Sequence, residues 1–279
     1  MLYARQVADA VREVIAQAAV TLRPDVLAAL RLAATSEASE RGRRVLAQLV
    51  ENAEIAAADR VPLCQDTGTV WVRVALGADE CLTGDLHAEV DRAVAEAYRA
   101  GALRMSTVRD AILDRSNPGD NSPAFIEITQ RPGIGATVDV MLKGGGSDNA
   151  SVLAMLDPSA GWAGVRELVL DTVRSRATGA CPPIVVGVGV GSTFDKVGAL
   201  AKSALLREIG SQPPDPRLVA LERELLANVN ASGIGPAGLG GSTTALAVHI
   251  VTAPCHIAAL PVAVNMGCSA VRSATVEVR

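Results

Sequence analysis

The sequence predicts an α/β fold, with a helical N-terminal region followed by mixed β-sheets flanked by helices. Three observations carry this. Apolar residues recur at helical spacing through the first sixty residues. Beyond them, short alternating or continuous apolar runs are separated by helical stripes and by Pro and Gly. No linker, low-complexity tract or internal repeat interrupts the 279 residues, so a single α/β domain over 1–279 is expected, mainly helical in 1–60 and mixed in 61–279.

Val7, Val11, Val14, Ile15, Ala18 and Leu22 share one helical face, and similar stripes in 25–36 and 43–57 extend the helical region. An alternating strand follows Gly68, and Leu86, Val90, Ala93, Val94 and Ala97 mark a helix that ends near Gly101. Strands are expected at 123–130 (PAFIEITQ) and 136–142 (ATVDVML), on either side of a Pro-Gly turn. Asp157-Pro158 has the form of an N-cap and first helical residue, opening a helix through Val173, and Ile184 to Val186 is a short buried strand. Helices follow at about 194–209 and after Asp215-Pro216, the latter with Leu218, Leu221, Leu225 and Val229 on one face and Gly233 as its stop. The last fifty residues read as a Gly-rich loop, a strand at 245–251, a turn at Ala253-Pro254, and strands at 260–264 and 270–278.

Composition narrows the function. With 49% hydrophobic but only 2% aromatic residues, the core is assembled mainly from Ala, Val, Leu and Ile. A net charge of -4, a pI near 5.5 and two each of Trp, Tyr and Phe supply neither a basic stripe nor stacking platforms, so no nucleic-acid partner is expected. No apolar run reaches the roughly 18 residues that span a bilayer. Arg5, Asp9, Arg12 and Glu13 break up the first segment, so a cytoplasmic protein with no signal peptide and no membrane contact is expected. Five cysteines without a C-x-x-C pair point to reduced thiols or thiolate ligands.

Four segments concentrate chemistry. GVGVGS (187–192) lies between a strand and a helix, but its spacing is G-x-G-x-G, and close strand-to-helix packing is the reading favoured over a nucleotide site. KGGGSDN (143–149) implies backbone that turns through positive φ or approaches a neighbour closely, as a plain turn or a site. GIGPAGLGGSTT (233–244) poses the same choice. In VPLCQDTG (61–68) a thiol, an amide and a carboxylate are adjacent at a strand entrance. A lone cysteine is more often a small buried apolar residue than a ligand, but Cys64, Cys181 and Cys268 each stand at a loop junction that suits exposed thiolates, and if the three meet an iron–sulfur cluster is the natural ligand; Cys81 and Cys255 lack that setting. Among the histidines, His87 reads as a surface residue, His249 as a satisfied strand residue, and His256, at a turn, as either functional or structural.

Taken together, PLCQDTGT, GALRMS, GDNSPAFIEI, KGGGSDN, CPPIVVGVGVGSTFDKVGALAKSALLRE, GIGPAGLGGSTTALAVHI and HIAALPVAVNMGC resemble the α chain of the two-subunit iron–sulfur hydro-lyases, from about residue 50 to the end. That family contains class I fumarases and L-tartrate dehydratases. The resemblance implies an oxygen-sensitive [4Fe–4S] cluster held by Cys64, Cys181 and Cys268. It also implies a dicarboxylate site lined by Gln65, Asp66, Arg104, Gly145 and His256. In that site Arg104 would fork one carboxylate, and backbone N–H groups around Gly144 and Gly145 would bind another. Asp66 and Gln65 would orient the leaving hydroxyl, and His256 would bind a carboxylate or take part in proton transfer.

The resemblance further implies a β subunit that carries more basic residues and the catalytic base. An α2β2 hetero-oligomer is therefore expected, with little activity in this chain alone. The alternative is a non-catalytic or regulatory dicarboxylate-binding partner that retains the fold. The chain departs from the family pattern at Ser147-Asp148-Asn149, at Ser242, where relatives carry a basic residue, and in SAVR after Cys268.

Overall fold

The computed structural model describes residues 1–279 and is mixed α/β. It divides into two compact units, one of 1–23, 53–145 and 272–279, the other of 24–52 and 146–271. Neither unit is a continuous half of the sequence.

The first unit opens with the short strand β1 (Leu2–Tyr3) and helix α1 (Ala4–Ala18). Val7, Val11, Val14, Ile15 and Ala18 are all buried, as the stripe predicts. Helix α2 (Pro24–Ser36) belongs to the second unit, and α3 (Glu40–Asp59) contains the boundary at 52/53. Back in the first unit come β2 (Thr69–Gly77), β3 (Leu82–Thr83), α4 (Leu86–Ala100), β4 (Phe125–Arg131) and β5 (Ala136–Lys143). The last strand of the chain, β10 (Arg272–Val278), joins them in a four-stranded sheet of order β10-β5-β2-β4. Val70, Val72 and Val74 of β2 and Val138, Val140 and Leu142 of β5 bury one face of that sheet in a core shared with α1 and α4. The opposite face carries the directly cross-strand pair Arg73 and Asp139, joined at 2.7 Å.

The second unit continues from α5 (Gly145–Asn149), at whose start the boundary falls, into β6 (Val152–Leu156), α6 (Gly161–Arg176), β7 (Ile184–Ser192), α7 (Phe194–Ala204), α8 (Leu218–Asn230), β8 (Ala245–Cys255) and β9 (Leu260–Gly267). Its sheet has the order β6-β9-β7-β8, with only β7 and β8 parallel. Val186 and Val188 share a core with Val165 and Val169 of α6 and Leu225 and Val229 of α8. On the other face a Cβ at Gly187 would lie 2.2 Å from the Ala201 carbonyl, so the glycines of GVGVGS let α7 lie close against β7. The packing reading of that motif therefore holds.

Several boundaries differ from the sequence reading for identifiable reasons. Asp157 does accept a cap hydrogen bond, from Ser159 N–H at 2.8 Å, but it caps a 3₁₀ turn over Pro158–Ala160, and α6 starts at Gly161. Ala253 and Pro254 lie inside β8, because an edge strand tolerates a residue without an N–H. Strand β6 was not foreseen: its five residues are too few to declare a period beside the polar segment before them.

Candidate functional site

In the first unit, the segment after Leu63 is fixed by its own polar groups. Asp66 accepts the Gly68 N–H on Oδ1 at 3.0 Å, a local turn that Gly68 completes with φ +82°. Its other oxygen, Oδ2, accepts the Gly145 N–H at 2.8 Å. The buried Tyr98 of α4 donates its hydroxyl toward the Thr67 and Gly68 carbonyls at 3.0 and 2.9 Å. Asn121 Nδ2 also donates to the Gly68 carbonyl, and the Thr67 hydroxyl donates to the Arg104 carbonyl at 2.7 Å. One strand entrance is thereby tied to four other segments of the unit, those of Tyr98, Arg104, Asn121 and Gly145.

Cys64, Gln65, Asp66, Arg104, Gly144 and Gly145 are all residues of this unit. Cys64 is half-buried, and its thiol donates to Gln65 Oε1 at 3.4 Å. Gln65 and Arg104 are exposed. Sequence reasoning offered the Gly145 N–H to a ligand carboxylate, whereas here it holds Asp66. Two residues were missed. Tyr98 looks like one more apolar stripe member of α4. Arg272, buried at the start of β10 near Gly144, reads as a strand-end charge; the burial that singles it out exists only in three dimensions.

In the second unit, Cys181 and Cys268 are brought toward each other, since the Ser269 N–H donates to the Cys181 carbonyl at 3.2 Å. Cys181 is exposed and adopts the left-handed conformation with φ 55°, a costly backbone for a non-glycine residue. Cys268 is half-buried beyond the end of β9. None of the five cysteines is in a disulfide. Within neither unit are three His, Cys, Asp or Glu side chains grouped to hold a metal ion.

His256 is not brought to these cysteines within the unit. Ser192 at the end of β7 pairs with Cys255, while Cys181 precedes the beginning of the same strand, so about eight strand residues, roughly 25 Å, separate them. His256 is exposed, and its Nδ1 accepts the Ala258 N–H at 3.1 Å. His249 is buried with Nδ1 3.1 Å from the Ala204 carbonyl, and His87 is exposed on α4, both as the bland readings require.

The loop GIGPAGLGGSTT is held from within the same unit. Glu37, just after α2, accepts the Ser242 N–H on both carboxylate oxygens (2.8 and 3.0 Å), the Thr243 N–H at 2.7 Å and the Ser39 N–H at 2.8 Å. Burial pushes the Glu37 carboxyl up, but these donors outweigh it and hold the group at about 2. Ser242 in turn accepts the Ala38 N–H on its hydroxyl at 3.2 Å. The loop also reaches the Cys181 segment, where the Ala237 N–H donates to the Pro182 carbonyl at 2.8 Å.

Comparison with known proteins adds an independent line. The family model described as fumarate hydratase (Fumerase) matches residues 8–277. A Methanocaldococcus jannaschii protein, provisionally named L(+)-tartrate dehydratase subunit alpha, is 39% identical over 280 residues, covering 98% of this chain and 98% of its own. L(+)-tartrate dehydratase subunits alpha of Escherichia coli and Shigella boydii are each 34% identical over 258 residues, covering 91% of this chain and 84% of theirs.

Proposed function

The chain belongs to the fumarate hydratase family, and from that premise we propose that it is the α subunit of an oxygen-sensitive [4Fe–4S] hydro-lyase, reversibly hydrating or dehydrating a small dicarboxylate in complex with a β subunit. L-tartrate is the first substrate to test, because the similar chains carry that name; the fumarate/malate pair is the second. The observation that carries the reading is the Cys64-Gln65-Asp66 segment, where thiol, amide and carboxylate are consecutive and the carboxylate is clamped by two N–H groups.

The donor set fits a cluster. Cys64, Cys181 and Cys268 are outside any disulfide and none is fully buried, and a backbone hydrogen bond links the segments of the latter two. These three thiolates would hold it. Once bound, a cluster with one iron lacking a protein ligand supplies a Lewis acid for the leaving hydroxyl.

The chain's own side chains bind and orient. Arg104, exposed at the end of the segment that Thr67 anchors, offers a planar fork for one carboxylate. Asp66, fixed in plane by Gly68 and Gly145, accepts a hydrogen bond from the substrate hydroxyl, and Gln65 can donate to that same oxygen. Fixing these groups before substrate arrives spares their reorganisation during reaction. The base that removes the C–H proton is assigned to the β subunit.

The test is anaerobic purification and cluster reconstitution, with iron and sulfide quantified, followed by assay of L-tartrate, malate and fumarate with and without the β subunit. Visible absorbance that bleaches in air and activity that requires both chains are expected. A preparation that takes up no iron or sulfide after reconstitution refutes the cluster, and failure of the β subunit to raise any of the three rates refutes the hydro-lyase assignment.

A further inference from the structure

We propose that Arg272 receives a carboxylate of the substrate, a role that rests on the dicarboxylate reading above. Arg272 opens β10, where it pairs with Leu142 of β5, so it stands beside the strand end from which Gly144 and Gly145 emerge. Its side chain is not a surface charge that happens to face inward: the residue is 2% exposed, and both Nε and Nη1 are buried without a hydrogen-bond partner. A guanidinium cannot shed its proton at any accessible pH, so the charge is permanent. Burying it uncompensated is among the costlier arrangements a fold can hold.

Other inward-leaning arginines of the chain are neutralised. Arg73 pairs with Asp139 at 2.7 Å and Arg207 with Glu222 at 2.5 Å. For Arg272 the neighbouring carboxylate is Asp66, which accepts the Gly68 N–H on one oxygen and the Gly145 N–H on the other and forms no ion pair with Arg272, while each oxygen keeps a lone pair for a further donor.

The two charges approach the same glycine. The point where a Cβ would sit on Gly144 lies 3.2 Å from Asp66 Oδ2 and 3.6 Å from Arg272 Nη2. A side chain there would crowd both groups. Tyr98 feels both groups: burial pushes its phenol up, the Arg272 charge draws it down, and the Asp66 charge raises it again. An anion entering here meets a fixed fork of N–H donors on one side and, on the other, a carboxylate able to accept from a hydroxyl. A 2-hydroxy acid presents that pair of groups on adjacent carbons. Since the Gly145 N–H is spent on Asp66, Arg272 is the donor at this point that still needs an acceptor.

The experiment uses the complex with its β subunit and succinate, a four-carbon dicarboxylate that can neither gain nor lose water. Succinate affinity by calorimetry and Tm without ligand are compared for wild type, Arg272→Met and Arg272→Lys. Arg272→Met is expected to weaken succinate binding by about 30-fold or more, with unliganded Tm unchanged or raised, because an unpaired buried charge has been removed. Arg272→Lys keeps the charge but loses the fork, and is expected to recover part of the affinity.

Wild-type affinity in Arg272→Met overturns the proposal, and so does a fallen Tm with affinity intact, which marks a structural arginine. If Arg272→Met does not fold, wild-type affinity in Arg272→Lys overturns it equally. The hydro-lyase assignment fails separately, when a succinate-binding wild-type complex turns over none of the hydroxydicarboxylates.

Discussion

Replacing Glu37 by Gln should destabilise the second unit by an amount that depends on pH. Glu37 is 2% exposed and folds the 241–243 loop around itself through N–H groups of Ser39, Ser242 and Thr243. Those donors favour the ionised form strongly enough to hold the carboxyl at about 2 against its ordinary 4.5. At about 1.4 kcal/mol per pH unit, that difference contributes about 3 kcal/mol at neutral pH.

The sign follows from the direction of the shift. A carboxyl depressed in the folded state stabilises fully above its unfolded value and loses that contribution as pH falls through the folded one. The Glu37 contribution is therefore complete above about pH 5, reduced to about half near pH 3, and mostly gone by pH 2. Gln keeps the size and one acceptor oxygen but cannot ionise.

Urea unfolding of wild type and Glu37→Gln at pH 7 and pH 3 measures this directly. The variant should be less stable by about 3 kcal/mol at pH 7 and by about half of that at pH 3. A loss below about 1 kcal/mol at pH 7, the worth of one ordinary hydrogen bond, would refute the ionic account. A loss equal at both pH values would refute it too, since then geometry alone carries the loop.

Three further outcomes are expected. Cys64→Ser, Cys181→Ser and Cys268→Ser should each lose iron and sulfide after anaerobic reconstitution, while Cys81→Ser and Cys255→Ser retain both; equal loss in all five would show oxidation damage instead of ligand removal. Gly187→Ala places a methyl 2.2 Å from the Ala201 carbonyl, so α7 must move; the cost should be about 1–3 kcal/mol, read as a lower Tm. Gly146→Ala meets the Gly179 carbonyl at 2.7 Å, whereas Gly145→Ala meets Asp66 Oδ2 only at an ordinary 3.8 Å. The first should therefore lower Tm and the second leave it near wild type, and the reverse order would show that the loop is not packed this way.

The strongly periodic elements were legible, because burial on one side imposes a period that the sequence must keep. The α1 stripe, the α4 stripe and the alternation of β2 and β5 each reappear as buried faces. The short and irregular parts were not. Residues 145–149 carry three consecutive polar side chains, yet they close one helical turn whose start is fixed by Asp66, 79 residues earlier in the chain, and β6 is defined by pairing with β9 across more than a hundred residues. The cysteine segments were legible only as junctions. That the Cys181 and Cys268 segments are linked through Ser269 depends on strand register, which no local pattern records.

The three glycines of KGGGSDN show how a motif can be recognised while the part each residue plays in the fold stays illegible. A run of glycines suggests backbone bared to bind an anion, yet none of the three has positive φ, and each meets a separate demand. Gly144 lets Asp66 and Arg272 approach the backbone closely, Gly145 gives its N–H to Asp66, and Gly146 admits the Gly179 carbonyl. Only the first of these adjoins the carboxylate site proposed at Arg272. If the Gly145 N–H holds Asp66 in place of the substrate, the positive charge that the proposed dicarboxylate binding requires must come from side chains. In this unit that places the work on Arg104 at the surface and on Arg272 within.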